Sequence, residues 1–224
     1  MIKFIKDKII TLASIIYFFS LLKKNKLKSS EYEFGILKKF VKKNDFVIDI
    51  GSNIGRYTFK LSSLVGKKGF VYSFEPMDKS FFILSSLIYL SGKKNILPIK
   101  IAISNFTRKV KMIPSSSKIS NFIFDTKTES KIINRSQKNY EYNYSIKIDD
   151  LNILEKIKFI KIDCEGHEFE VLSGAINLIK KNNPTILVEN NSNLVKKFLE
   201  KLNYNSVQFN VVSRNMLFVK KNKF

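Results

Sequence analysis

The chain holds one cysteine, one histidine and only four arginines, so several kinds of chemistry have little to work with. A single Cys164 excludes an internal disulfide and a zinc site built on thiolates, and it suits a reducing, cytosolic setting. Acidic residues are also scarce, at 19 against 40 basic ones, for a formal charge of +21. Such a charge favours anionic surfaces. Nucleic acid is nevertheless a disfavoured partner, because arginine is the fork that grips phosphates and base edges bidentately. Arginine occurs only at Arg56, Arg108, Arg135 and Arg214, while the lysines spread along the whole chain among Asn, Ile and Phe.

A bilayer-crossing helix needs about 20 apolar residues, and the uncharged run from Ile9 to Leu22 is shorter than that. Lysines 3, 6 and 8 precede it and lysines 23, 24, 26 and 28 follow, with no small-residue cleavage site of the secretory kind. Ile2, Ile5, Ile9, Leu12, Ile16 and Phe19 fall on one helical stripe. Two readings stay open for residues 1–30. The segment is either a helix packed on the domain, or a monotopic helix on the inner membrane surface, with residues 1–28 meeting anionic headgroups.

What is present is enough for one α/β domain over residues 31–224: 224 residues in all, 44% hydrophobic, with 20 Phe to fill a core. A helical pattern runs from Glu31 to Val41. Buried strands are expected at Phe46–Ile50, Phe70–Phe74, Ile96–Ile103 and Phe159–Asp163, with further short strands at Lys109–Ile113, Ser145–Ile148 and Thr185–Glu189. Helices are expected near Gly55–Leu64, Met77–Leu90, Asp150–Leu154, Phe169–Lys180 and Asn193–Leu202. Strands alternating with helices imply a doubly wound, mostly parallel sheet, closed by an antiparallel C-terminal hairpin over Ser206–Val212 and Asn215–Val219. Residues near 114–144 are rich in Ser, Asn, Lys and Thr, and are expected to form a variable, substrate-facing insertion. The alternation Tyr140, Tyr142, Tyr144 is read as a half-buried strand edge in preference to a sugar-stacking platform.

The first chemical constellation is Asp49-Ile50-Gly51-Ser52-Asn53-Ile54-Gly55, a strand running into glycine with a helix opening soon after. Glycine there lets backbone approach a ligand closely. It is not the dinucleotide pattern, because Asn53 and Arg56 stand where the second and third glycines belong. Glu75 closes the next strand, where a carboxylate can accept both hydroxyls of an adenosine ribose. A pyrophosphate wants several free amides at a helix N-terminus. Their loss tilts the ligand towards S-adenosylmethionine, with Asp49 for its ammonium and the Gly51 and Ser52 amides for its carboxylate.

The second constellation is Lys161-Ile162-Asp163-Cys164-Glu165-Gly166-His167-Glu168. Asp163 ends a buried strand at the edge where α/β folds bind ligands. It is the first candidate for a general base or acceptor-orienting group, with His167 and Glu165 as further catalytic candidates. The bland alternative has Glu165, His167 and Glu168 capping a helix. Glu189, on the next strand, lines the same pocket in this reading. A divalent cation on Asp163, Glu165 or Glu189 stays open, since the spacing does not demand one.

Asp49-x-Gly51-x-Asn53-x-Gly55-x-Tyr57-Thr58, Phe74-Glu75-Pro76 and Ala102-Ile103-Ser104 resemble the FkbM-type methyltransferases. So do Ile148-Asp149-Asp150-Leu151, Lys161-Ile162-Asp163-x-Glu165-Gly166-x-Glu168, Val171-Leu172-x-Gly174-Ala175, Val188-Glu189 and Asn215-x-Leu217-Phe218, in the family's order. The resemblance spans roughly residues 31–219. It implies a Rossmann-like class I methyltransferase fold and S-adenosyl-L-methionine as cofactor. That cofactor would be held by Asp49, Gly51, Ser52, Asn53, Gly55, Tyr57, Glu75, Pro76, Ala102 and Ser104. It also implies transfer to a hydroxyl of a sugar, glycan or related small molecule. An RNA methyltransferase on the same fold and a non-catalytic nucleoside-binding module stay as alternatives.

Overall fold

Three apolar pentapeptides, FVIDI, FVYSF and TILVE, become the strands β1 (Phe46–Ile50), β2 (Phe70–Phe74) and β9 (Thr185–Glu189), with the bounds expected from their patterning. The computed structural model describes residues 2–27, 31–113, 131–133, 140–189, 192–209 and 213–221. Beside β1 and β2 lie β3 (Ile96–Ile99) and β8 (Ile157–Ile162), all parallel. β9 continues the parallel set, and β10 (Tyr204–Gln208) and β11 (Asn215–Lys220) close it as an antiparallel hairpin. The order is β10-β11-β9-β8-β1-β2-β3, so β11 inserts between β9 and β10. This is the Rossmann-like methyltransferase arrangement with the expected C-terminal hairpin, although its first strand begins at Tyr204 instead of Ser206 and residues 210–212 of the expected strand lie outside the described residues.

Both faces are covered, as parallel strands require. Val47, Val71, Phe159, Leu187 and Leu217 point to one face. There they pack under α1 (Ile2–Lys23), α2 (Tyr32–Ile36), α3 (Arg56–Val65) and α4 (Asp78–Ser91). Ile48, Ile50, Ile160, Ile162, Ile186 and Val188 point to the other. They meet α5 (Glu168–Ser173), α6 (Ile176–Asn182) and α7 (Asn193–Lys201). Each such fully buried side chain contributes about 1.5–3 kcal/mol relative to exposure.

Four local expectations change. Ile96–Ile103 is not one strand: the Ile101 amide donates to the Ile99 carbonyl at 3.1 Å, a three-residue turn that bends the chain away. Ala102–Ile103 (β4) then joins a second sheet with β5 (Arg108–Ile113), β6 (Lys131–Ile133) and β7 (Glu141–Ile146), in the order β4-β7-β5-β6. The helix expected at Phe169–Lys180 is two helices. Asp149 accepts from the amides of Asn177 and Leu178, both at 2.9 Å, and so caps a new helix start. The short helix expected at Asp150–Leu154 is instead a 3-10 turn over Ile148–Asp150. Finally, β7 is half-buried as expected, with Asn143 and Ser145 buried and Tyr142 and Tyr144 exposed, but it starts at Glu141 and is an inner strand of the second sheet, not an edge. Of the insertion expected near 114–144, residues 114–130 and 134–139 lie outside the described residues.

Candidate active site

Strand periodicity and register assemble the site. Side chains two apart share a face, and Asp49 pairs with Ser73 on one side and Lys161 on the other. Ser73, Asp49 and Lys161 therefore form one row across three strands, on the face that α3 covers. One step further towards the strand ends come Glu75, Gly51, Asp163 and Glu189. The site is the carboxyl edge of this parallel sheet, where open α/β folds bind ligands.

Asp49 is fully buried. Its Oδ2 accepts a 2.6 Å hydrogen bond from Thr58, which also lies 3.0 Å from Ser73. Its Oδ1 has no hydrogen-bond donor, and Lys161 Nζ stands 4.0 Å away. Burial raises the Asp49 pKa, opposed by Lys161 and Thr58. Lys161 is itself buried. It donates to Asp163 Oδ2 at 2.7 Å and stands over the Tyr57 ring at 4.7 Å. Burial disfavours its charge, but Asp163 and Asp49 outweigh that and raise its pKa.

Gly51 takes φ +74, and a Cβ there would lie 1.8 Å from the Asp163 carbonyl oxygen. Glycine is thus needed for the close approach of β1 to the segment leaving β8. The Gly51 and Ser52 amides both donate to the Phe74 carbonyl at 3.0 Å, instead of standing open for a carboxylate. Ser52 is buried, with its hydroxyl on the Asp49 carbonyl and 2.7 Å from Ser73. This network ties the bend after β1 to the end of β2. Gly55, at φ +97, opens α3 against Leu84.

Glu75 stands on the same rim as Asp49. Its Oε2 accepts from the Asn53 amide at 2.7 Å and its Oε1 from the Met77 amide at 2.9 Å. Burial pushes its pKa up to about 7; the two amides pull it down and the nearby Asp49 adds to the rise. Pro76 is buried beside it. Tyr57 points inward, its hydroxyl donating to Glu31 and its ring edge-on to Phe34 at 5.2 Å.

Asp163 follows β8 and is partly open to solvent. Burial works against its charge, yet Lys161 and a hydrogen bond from Glu189 hold its carboxyl below the ordinary range. That shared hydrogen bond, then burial, pushes Glu189 up to about 9. The pair therefore keeps its proton on Glu189 and its charge on Asp163. Glu165, at φ +52, brings a carboxylate oxygen within 4.8 Å of oxygens on Asp163 and Glu189, a set that could also hold a cation. Glu168 is buried and accepts from the Cys164 and Gly166 amides, fixing the turn. His167 Nε2 lies 2.9 Å from the Ser104 hydroxyl and its Nδ1 3.6 Å from Glu170. Burial lowers the His167 pKa against the pull of the two glutamates. Ala102 and Ser104 are buried in and just after β4, and Ser104 thereby joins the second sheet to α5.

Sequence reasoning passed over Lys161 as a functional side chain. The signal was there: a lysine between isoleucines in a doubly covered strand cannot reach water, so it must meet carboxylates.

Comparison with known proteins agrees with this geometry. A curated relative, the hexuronic acid methyltransferase AglP of Haloferax volcanii, is 25% identical over 167 residues, covering 75% of this chain. The chain spans 64% of that relative's length. Among solved structures, the methyltransferase FkbM of Methylobacillus flagellatus KT superposes with a TM-score of 0.57 at 18% identity, covering 80% of this chain and 43% of that one. The precorrin-6y C5,15-methyltransferase of Geobacter metallireducens GS-15 shares the fold at a TM-score of 0.50 and 12% identity, over 87% and 89% of the two chains. The profile of the methyltransferase FkbM domain matches residues 49–209, from the first acid of the site to the closing hairpin, and the chain belongs to that family.

Proposed function

We propose that this protein uses S-adenosylmethionine to methylate a hydroxyl of a sugar or glycan. One observation carries the reading: Asp49 and Glu75 end neighbouring strands on one rim, with the Asn53 amide bound to Glu75 across the bend. The unpartnered Asp49 Oδ1 suits the cofactor's ammonium. Each Glu75 oxygen keeps a second lone pair for a ribose hydroxyl. Bound there, the cofactor supplies a methyl group on a sulfonium.

The chain's own residues then position the acceptor and take its proton, which is where such a transfer gains most of its rate. Asp163, kept ionised by Lys161 and partly open to solvent, accepts the hydrogen bond of the acceptor hydroxyl. When the new carbon–oxygen bond forms and the carbon–sulfur bond breaks, the hydroxyl proton passes to Asp163. A low-pKa carboxylate suffices, because an alkylated hydroxyl is strongly acidic. The sugar part of the reading is supported by the named substrate class of the Haloferax relative.

An oligosaccharide containing a hexuronic acid, incubated with the protein and cofactor, should gain a methyl group detectable by mass spectrometry. Asp163→Asn should keep cofactor affinity and lose turnover by about a hundredfold or more. Intact turnover in that variant removes Asp163 from the chemistry. A wild-type protein that binds cofactor but leaves neutral sugar and uronic acid acceptors alike unmethylated contradicts the sugar assignment.

A further inference from the structure

α1 carries a second apolar side, turned outward, that a helix packing only on its own domain does not need. Ser14, Ile15 and Phe18 are buried, and Ile15 and Phe18 join the core beneath α4. The stripe Ile5, Ile9, Leu12 and Ile16 faces outward instead, with exposures of 50%, 62%, 59% and 61%. These residues step by four, three and four positions, so they line one side of the helix over three turns. Half or more of each side chain meets water, a standing cost that a contiguous apolar patch on a lone domain does not normally carry. The helix beneath it, α4, also leaves Phe82 and Tyr89 exposed, seven residues apart on one face.

We propose that the outward side of α1 is a docking surface for an anionic lipid bilayer, with the helix lying in the plane of the interface. Charge complementarity selects this occupant. Lys8 stands beside the stripe, and Lys23, Lys24 and Lys26 follow it, all exposed, while Asp7 is the sole acid in the helix. Cations flanking an apolar stripe match phosphates flanking acyl chains. A second copy of this chain would set lysine against lysine across the contact, which the charges oppose. The helix lies on the membrane and does not cross it, because no helix among the described residues is long and apolar enough to span one. Tyr89 is of the kind that settles at headgroup level, and Phe82 of the kind that enters the acyl boundary. A membrane-borne acceptor would then be met on a surface instead of in solution.

Flotation of the full chain with vesicles tests this, using phosphatidylcholine alone and phosphatidylcholine mixed with phosphatidylglycerol. The protein should float with the mixed vesicles and partition into pure phosphatidylcholine about tenfold less. Ile9→Gln/Leu12→Gln/Ile16→Gln should lower partitioning into the mixed vesicles about tenfold or more, with the thermal midpoint and circular dichroism unchanged. Lys23→Glu/Lys24→Glu should weaken binding to mixed vesicles alone. Three results overturn the proposal. They are no flotation, flotation that the triple glutamine variant leaves intact, or a wild-type dimer in light scattering that the same variant turns into a monomer.

Discussion

Glu75 holds a carboxyl where ionisation is costly, and its behaviour with pH follows from that. Raised to about 7, the group favours the folded state while protonated. That contribution is complete below the ordinary glutamate range and is lost as pH rises through 7. Ribose hydroxyls bond more strongly to the ionised form, so cofactor affinity should move the other way. The thermal shift produced by S-adenosylhomocysteine should grow from pH 6 to pH 8, reporting an affinity gain of about tenfold. Glu75→Gln should flatten that dependence; an equally steep profile in the variant would assign it to another group. Lys161 makes a second test at this scale. Lys161→Met removes the counter-charge that Asp49 and Asp163 share in a buried row, and should cost about 3–5 kcal/mol in urea unfolding. A loss within experimental error would mean the two acids are neutral in the folded protein. Asp49, Glu75 and Asp163 were legible in the sequence because each stands at the end of an apolar strand, where a carboxylate has no structural excuse. The tie between Asp49 and Lys161 was not, because it depends on the register between strands 112 residues apart in numbering.

At the scale of elements, what patterning could find was set by how local each signal is. β1, β2 and β9 have the expected bounds, since five apolar residues between turn signals depend on nothing distant. The helix over Phe169–Lys180 broke because Asp149, far upstream, supplies a cap that the local pattern does not contain. Close packing reinforces the break: a Cβ at Gly174 would lie 2.0 Å from the Ser104 carbonyl. Asp149→Ala leaves two first-turn amides of α6 without their acceptor and should cost about 1–2 kcal/mol on chemical denaturation. Cofactor affinity should change far less than stability, because the Asp149 carboxylate bonds the α6 amides and not Asp49 or Glu75. A variant of wild-type stability would show that water replaces the carboxylate without loss. The stripe on α1 was visible in the sequence too, but its direction was not. Both sides of that helix are apolar, and only tertiary packing decides that Ile15 and Phe18 go in while Ile9 and Leu12 stay out.

For the whole molecule, alternating strands and helices were enough to predict a doubly wound sheet with a reversed final hairpin. Strands near β5 and β7 were expected, but their assembly with β4 and β6 into a second sheet was not, because the pairings join segments separated by the insertion and β4 is two residues long. It lies next to the site through Met77, which packs with Ala102, Val110 and Met112 directly after Glu75. The charge of +21 belongs to this scale as well, and in the lysine-rich ends of α1 it has a structural setting. The account depends on a nucleoside being gripped where β1 and β2 end together. Titration calorimetry of S-adenosylmethionine into the wild type and into Glu75→Ala, with both shown folded by circular dichroism, tests it most directly. One site per chain is predicted for the wild type, weakened about tenfold or more in the variant. Equal affinity in the two proteins, or no heat of binding in the wild type, would contradict it.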